Sequence, residues 1–265
     1  MVAEVGSGVA NLQPGDRVVG MTGWGGLQER VVLPANKAMR IPAGLDFAAA
    51  AALTMTYGTS IHALMDRGEL KKGETVLVLG AAGGVGLAAV EISKAMGARV
   101  IAACSTKEKA ETCRRFGADE VILYSSENLK QRVSELTGGD GVDVVYDAVG
   151  GEHAEPALRS MAWRGRYLVI GFVGGIPKIP LNLTLLKGCD VRGVFWGSFT
   201  SREPERFARD LDQLARWIRE DKIHPGKCIT ETHPLEGAAE AIGRLENRQV
   251  AGKSVVVMGP GAGKL

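Results

Sequence analysis

Cysteine is scarce in this chain of 265 residues, with only four, at positions 104, 113, 189 and 228. Their spacing makes no CxxC pair and no zinc knuckle, so a disulfide scaffold and a ribbon-type metal site are excluded, and free thiols in a reducing compartment are expected. An excess of either charge is lacking too. Lysine and arginine number 32 against 30 acids, a net charge of +2, which offers no basic face for nucleic acid or an anionic membrane. No stretch approaches the ~20 apolar residues of a membrane span. The longest uncharged segment, residues 47–65, carries Thr54, Thr56, Thr59, Ser60 and His62, and reads as buried within protein. The start, Met1 to Gly6, has neither the basic nor the apolar region of a signal peptide, so a cytoplasmic location is expected. Histidines stand only at 62, 153, 224 and 233, with no HExxH pattern. There is no GxSxG elbow and no tyrosine with a lysine four residues on. Aromatics are few, at 5%.

What the chain does have is glycine, 36 in all, within an ordinary balance of 45% hydrophobic and 23% charged residues. That balance excludes global disorder. The first forty residues read as short strands and turns, with strands at Val18–Gly20 and Glu29–Leu33. Asp46 is placed to cap an alanine-rich helix from Phe47. From Thr75 the pattern becomes strand–helix alternation. Strands are predicted at Val76–Leu79, Val100–Ala103, Val121–Leu123, Val142–Tyr146, Tyr167–Ile170 and Val191–Trp196. Helices are predicted at Gly84–Met96, Lys107–Phe116, Asn128–Leu136, His153–Met161 and Glu203–Glu220. This alternation predicts an α/β fold with a parallel, doubly wound sheet. A helix at Leu235–Leu245 and a strand at Ser254–Met258 close the chain. The β-rich start and mixed end are expected to form one domain into which the α/β domain is inserted, with boundaries at 1–55, 56–200 and 201–265. The tail Gly259–Leu265 resembles a phosphate loop only superficially, because Met258 and Leu265 break the pattern, and it reads as a frayed end.

The run Val76-Leu77-Val78-Leu79-Gly80-Ala81-Ala82-Gly83-Gly84-Val85-Gly86 is a strand feeding a glycine-rich turn that opens a helix. Helix-start N–H groups and the positive end of the helix dipole suit a pyrophosphate. The match to GxGxxG is partial, with alanine at the first glycine. The second strand ends at Cys104-Ser105-Thr106, where a cofactor with a free ribose hydroxyl would call for a carboxylate. Here Lys107 and Lys109 follow instead. A hydroxyl and a lysine suit a 2′-phosphate, so NADP(H) is the expected cofactor. Asp147 ends a strand and reads as a turn aspartate, and His62 as a core histidine. No acid–base pair stands out, so no catalytic residue is named.

Gly80 through Ala89, Gly117-Ala118-Asp119-Glu120-Val121-Ile122, Val145-Tyr146-Asp147-Ala148-Val149-Gly150-Gly151 and Gly165 through Phe172 together resemble the medium-chain dehydrogenase/reductase superfamily. Within it, the chain is most similar to the zinc-free quinone oxidoreductase branch, and the resemblance spans essentially the whole chain. It implies a Rossmann domain inserted in a GroES-like catalytic domain, here partial, because the family normally has a further stretch before Val2. It implies that Ala82, Gly83, Gly84, Val85 and Gly86 cradle the pyrophosphate, that Ser105 and Lys109 hold the 2′-phosphate, and that Tyr124 borders the adenosine. Gly171, Phe172 and Val173, then Trp196, Gly197 and Ser198, and Thr59 would lie beside the nicotinamide half. The implied activity is zinc-independent, NADPH-dependent reduction of a quinone or related α,β-unsaturated carbonyl by a homodimer paired through the strand at Val191–Trp196. An enoyl-thioester reductase and a cofactor-binding protein without catalysis are the alternatives. No metal, nucleic acid or membrane partner is expected.

Overall fold

The computed structural model describes residues 1–258, so the predicted tail Gly259–Leu265 lies outside the described residues. The chain divides into two compact units. Met1–Met55 with the chain from Pro225 onward form the first, and Thr56–His224 the second.

The first unit begins with an antiparallel pair, β1 (Val18–Gly20) and β2 (Ala38–Arg40), in which Val18 faces Arg40. The strand expected at Glu29–Leu33 does not form. Val32 there is 98% exposed, so alternation at 29–33 has no face to bury, and β1 pairs with 38–40 instead. Helix α1 (Phe47–Ile61) starts as expected. Asp46 Oδ1 accepts from the Ala49 N–H at 2.7 Å, which satisfies one of the unpaired donors of the first turn.

α1 runs across the division at residues 55 and 56 and continues into a single π-helical stretch, His62–Arg67. Then come β3 (Thr75–Leu79), α2 (Gly84–Ala95), β4 (Arg99–Cys104), α3 (Lys107–Arg115), β5 (Glu120–Leu123), α4 (Leu129–Leu136) and β6 (Val142–Asp147). They are followed by α5 (Ala154–Arg159), β7 (Met161–Val169), α6 (Asn182–Lys187), β8 (Asp190–Gly193), α7 (Trp196–Arg202) and α8 (Pro204–Arg219). The six strands of this unit form one wholly parallel sheet in the order β5-β4-β3-β6-β7-β8. Counted from β3, that is the 3-2-1-4-5-6 order of the dinucleotide-binding fold. The strands are short apolar runs because helices cover both faces. Val76, Leu77, Val78 and Leu79 are all fully buried, as are Val100 to Ala103. The order reverses between β3 and β6, which pair as far as Leu79 and Asp147.

Within this unit two element assignments differ from the sequence expectation. Met161 opens β7 rather than closing a helix, because it pairs with Val142. Trp196 does not extend β8. It opens α7, a helix the alternating pattern concealed, where its indole is 5% exposed while Phe195 before it is 77% exposed. The second unit runs to His224 and therefore contains α8, whose Leu214 and Trp217 are buried.

The first unit resumes with β9 (Ile229–His233), α9 (Ala238–Glu246) and β10 (Lys253–Val256). β9, parallel to β10, was not legible because Ile-Thr-Glu-Thr-His is mostly polar.

Candidate functional site

The carboxyl ends of β3, β4, β5, β6 and β7 share one edge of the sheet, and most of the predicted site residues follow directly from them. β3 passes into Gly80, whose φ of +67° lies in the left-handed region that glycine occupies without strain. The turn is closed by the Gly83 N–H to Gly80 O at 3.0 Å, and is tied to β4 by the Ala81 N–H to Ala103 O at 3.1 Å. α2 starts at Gly84 with Gly83 as an extended cap that has no side chain to offer and no acid in the first turn. The N–H groups at Gly84, Val85 and Gly86 therefore have neither a capping oxygen nor an intrahelical carbonyl. At Gly86 a Cβ would stand 2.3 Å from Gly80 O, so only glycine lets the helix approach the turn. At Gly83 a Cβ would meet nothing nearer than 3.4 Å, so its bareness leaves room on the open side. Ala82 is buried beneath the turn.

β4 ends at Cys104, a buried thiol that donates to Thr106 O at 3.6 Å. A hydrogen bond from Cys113 on α3 holds the Cys104 thiol below its ordinary value, and the same contact, with burial, pushes Cys113 up. Thr106 caps α3 by accepting the Lys109 N–H at 3.3 Å. The cap sets Lys109 one turn in, where its Nζ reaches back to Ser105 Oγ at 3.5 Å. Ser105 is held from behind, since its carbonyl accepts from Ser125 Oγ at 2.7 Å. Tyr124 follows β5, with its N–H on Cys104 O at 3.2 Å and its ring tilted against His153 at 4.4 Å. Ser105, Lys109 and Tyr124 thus converge at the ends of β4 and β5.

β6 ends at Asp147, which lies at this edge but has little capacity left for a ligand. Its Oδ1 accepts the N–H groups of Val149 and Gly150, each at 2.8 Å, and its Oδ2 accepts the Tyr167 hydroxyl at 2.5 Å. Burial, then the Asp147 charge, push the Tyr167 hydroxyl far above its ordinary range. Asp147 shapes the loop after β6, and the loop after β7 is laced to it by the Gly174 N–H to Val149 O at 2.7 Å. Gly171, Phe172 and Val173 begin that second loop, with Phe172 and Val173 exposed.

The remaining predicted residues come from outside the sheet. Thr59 is half-buried on α1. Its neighbour Ser60 donates to Val85 O at 3.0 Å, which sets α1 against the glycine turn. Trp196 packs on α1: a Cβ at Gly58 would lie 2.7 Å from the indole. Its Nε1 is buried with no hydrogen-bond partner among the described residues, while Gly197 is exposed and Ser198 Oγ accepts from Arg202 Nε at 2.8 Å. His62 is a core residue, stacked on Phe199 at 3.8 Å with Nδ1 3.1 Å from Asp66. Burial is the stronger influence on it and lowers its tendency to protonate. Sequence reading missed Ser60, Tyr146 and Glu91. One signal existed, since Glu91 is the lone acid in the helix Gly84–Ala95, and a carboxylate among apolar residues calls for partners.

Among the described residues no three His, Cys, Asp or Glu come together as a metal-binding group, and no helix is long and apolar enough to cross a membrane. No disulfide forms among the described residues, and all four cysteines are buried.

Residues 84–216 match the family described as zinc-binding dehydrogenase. The chain is 39% identical over 258 residues to a quinone oxidoreductase-like protein 2 homolog of Nematostella vectensis, covering 96% of this chain and 70% of the relative. It is 30% identical to a 2-haloacrylate reductase of a Burkholderia species, covering 97% of this chain and 78% of that one. Among solved structures it is similar to the Escherichia coli quinone oxidoreductase complexed with NADPH. The TM-score is 0.85 at 32% identity, over 96% of this chain and 79% of the other.

Proposed function

This chain belongs to the quinone oxidoreductase branch of the medium-chain, zinc-binding dehydrogenase family, and on that premise we propose that it is an NADPH-dependent oxidoreductase that reduces a quinone or related α,β-unsaturated carbonyl without zinc. The observation that carries the cofactor choice is the end of β4. Ser105 and Lys109 lie in contact there, and the buried Cys104 side chain stands where a carboxylate would repel a 2′-phosphate. The uncapped start of α2, with room above Gly83, fits the pyrophosphate. When bound, the cofactor supplies the hydride. The protein's part is binding and orientation: the glycine turn fixes the middle of the dinucleotide, Ser105 and Lys109 one end, and Thr59 with Gly171 to Val173 the other.

The acceptor class is supported by the names of two relatives, one a quinone oxidoreductase and one a 2-haloacrylate reductase, a haloacrylate being an α,β-unsaturated acid. The metal-free part of the reading rests on the donor set, since no metal-binding group forms among the described residues. A homodimer fits β8, an outermost strand with Val191 partly exposed and Phe195 exposed beyond its end.

Calorimetry of NADPH and NADH on this chain, followed by NADPH oxidation with 1,4-benzoquinone, tests the proposal. Tight NADPH binding, weak NADH binding and quinone-dependent oxidation are expected. Binding without oxidation by quinones or enones would leave a cofactor-binding protein. Oxidation with enoyl-thioesters alone would move the substrate class, and no binding of either cofactor would overturn the proposal.

A further inference from the structure

Glu91 is a carboxylate in an apolar helix, only 6% exposed, and α2 has no other acid. A buried carboxylate is costly unless hydrogen-bonded, and this one is well supplied. Its Oε2 accepts the Tyr57 hydroxyl at 2.5 Å. The His224 N–H lies 3.1 Å from Oε1 and 3.2 Å from Oε2, and His224 Nδ1 is 3.1 Å from Oε1. The His224 ring is held from its other side by Asp221 Oδ1 at 2.9 Å. Tyr57 follows directly on Thr56, the first residue of this compact unit, and His224 is its last. One carboxylate therefore ties down both ends of the unit.

Three residues after Tyr57, on the same face of α1, Ser60 grips α2 a second time. Its Oγ donates to Val85 O at 3.0 Å and shares a hydrogen bond with the buried Tyr146 hydroxyl at 2.9 Å. Val85 lies in the first turn of α2 and Glu91 nearly two turns further on. Sliding α1 along α2 by one residue, a rise of about 1.5 Å, would break both grips. Between them, Gly58 takes the indole of Trp196. Of the hydroxyl-bearing residues 57, 59 and 60, Tyr57 and Ser60 spend their hydroxyls on the fold, and Thr59 between them is half-buried.

We propose, resting on the cofactor reading above, that Glu91 is a positioning residue: through Tyr57 it fixes the register of α1 on α2, and so the station of Thr59 relative to the Gly83–Gly86 turn. The distance from pyrophosphate cradle to nicotinamide end is thereby set by a buried carboxylate that touches neither. A loss of register displaces the nicotinamide end while leaving the 2′-phosphate and pyrophosphate contacts intact.

The test uses Tyr57→Phe, Glu91→Leu and Glu91→Gln in the full chain. Calorimetry with 2′,5′-ADP, which has no nicotinamide, reads the adenosine end. The fluorescence anisotropy of bound NADPH reads the nicotinamide end, with or without turnover. Tyr57→Phe and Glu91→Leu are expected to keep 2′,5′-ADP affinity within about twofold while loosening bound nicotinamide and lowering kcat by about ten- to a hundredfold. Glu91→Gln keeps an acceptor for Tyr57 and is expected to recover most of the loss. Wild-type anisotropy and kcat in the variants would overturn the proposal. So would a parallel fall of 2′,5′-ADP affinity and of nicotinamide ordering, the mark of a merely structural role. Failure of the wild-type chain itself to bind NADPH would overturn the underlying function as well, which separates the two failures.

Discussion

At position 104, where a dinucleotide fold selective for the unphosphorylated cofactor carries a carboxylate, this chain has a thiol hydrogen-bonded to Cys113 and buried. Lys109, oriented by the Thr106 cap and touching Ser105, brings a cation to this strand end. A hydrogen bond to a charged group is worth about 1.5–3 kcal/mol, or roughly 10- to 100-fold in affinity. Lys109→Ala should therefore weaken NADPH binding by about that factor, leave NADH binding nearly unchanged, and narrow the gap between the two. Calorimetry of both cofactors on wild type and variant measures this, and an unchanged ratio would remove Lys109 from the site. That Ser105 and Lys109 lie together was legible in the sequence because a strand end, a cap and the first turn of a helix are all local. Asp147 was legible as a turn residue for the same reason, as its partners Val149 and Gly150 lie two and three residues on. That Trp196 leaves the strand and is buried was not, because it packs on Gly58, far away in sequence.

Among the elements, α8 shows what an amphipathic pattern conveys and what it leaves out. Its apolar stripe was readable, and Leu214 and Trp217 are indeed its buried residues. The pattern gave no sign of Asp210, partly buried on the same helix with Oδ2 lacking a hydrogen-bond partner among the described residues. Burial, and next the charge of Asp66 on the π-helical stretch after α1, push its carboxyl up to about 6 from an ordinary 3.8. A carboxyl raised on folding favours the folded state in its protonated form. That advantage is complete below about pH 4 and is lost as the pH rises through about 6, so at neutral pH the ionised Asp210 burdens the fold. Asp210→Asn, which carries no charge at any pH, should raise the Tm at pH 8, with the gain shrinking between pH 6 and pH 4. Thermal unfolding of both proteins across that range checks it, and a gain independent of pH would assign the effect to something other than ionisation.

For the whole molecule, the open edge of the sheet is the feature with consequences beyond one chain. β8 ends the order β5-β4-β3-β6-β7-β8, and Val191 at its middle is 40% exposed. An unpaired edge strand is a template for another strand, and a lysine there opposes pairing. If two copies associate through β8, sedimentation should find a dimer for the wild-type chain and a monomer for Val191→Lys, with NADPH affinity retained. A monomeric wild type, or a variant that remains dimeric, would exclude this edge as the interface. The strand at Val191–Trp196 expected from sequence stops at Gly193, so any pairing engages fewer residues than the apolar run suggested, and Trp196 is withdrawn from it.

The sequence alone determined the α/β alternation, the strands from β3 to β8 to within a few residues except at the start of β7 and the end of β8, the glycine turn and the basic end of β4. Each of these is encoded by neighbours: a covered parallel strand must be a continuous apolar run, a tight strand–helix turn must be glycine, and a cap lies three residues from the donor it satisfies. Only the tertiary structure decided which short strand pairs with β1, that Trp196 begins a helix, that β9 exists, and that the second compact unit extends to His224. It alone brought Tyr57, Ser60, Val85, Glu91 and His224 together, up to 167 residues apart in the chain (Tyr57 to His224). Those outcomes depend on which buried donor meets which buried acceptor once the sheet has formed, and no local pattern carries that information.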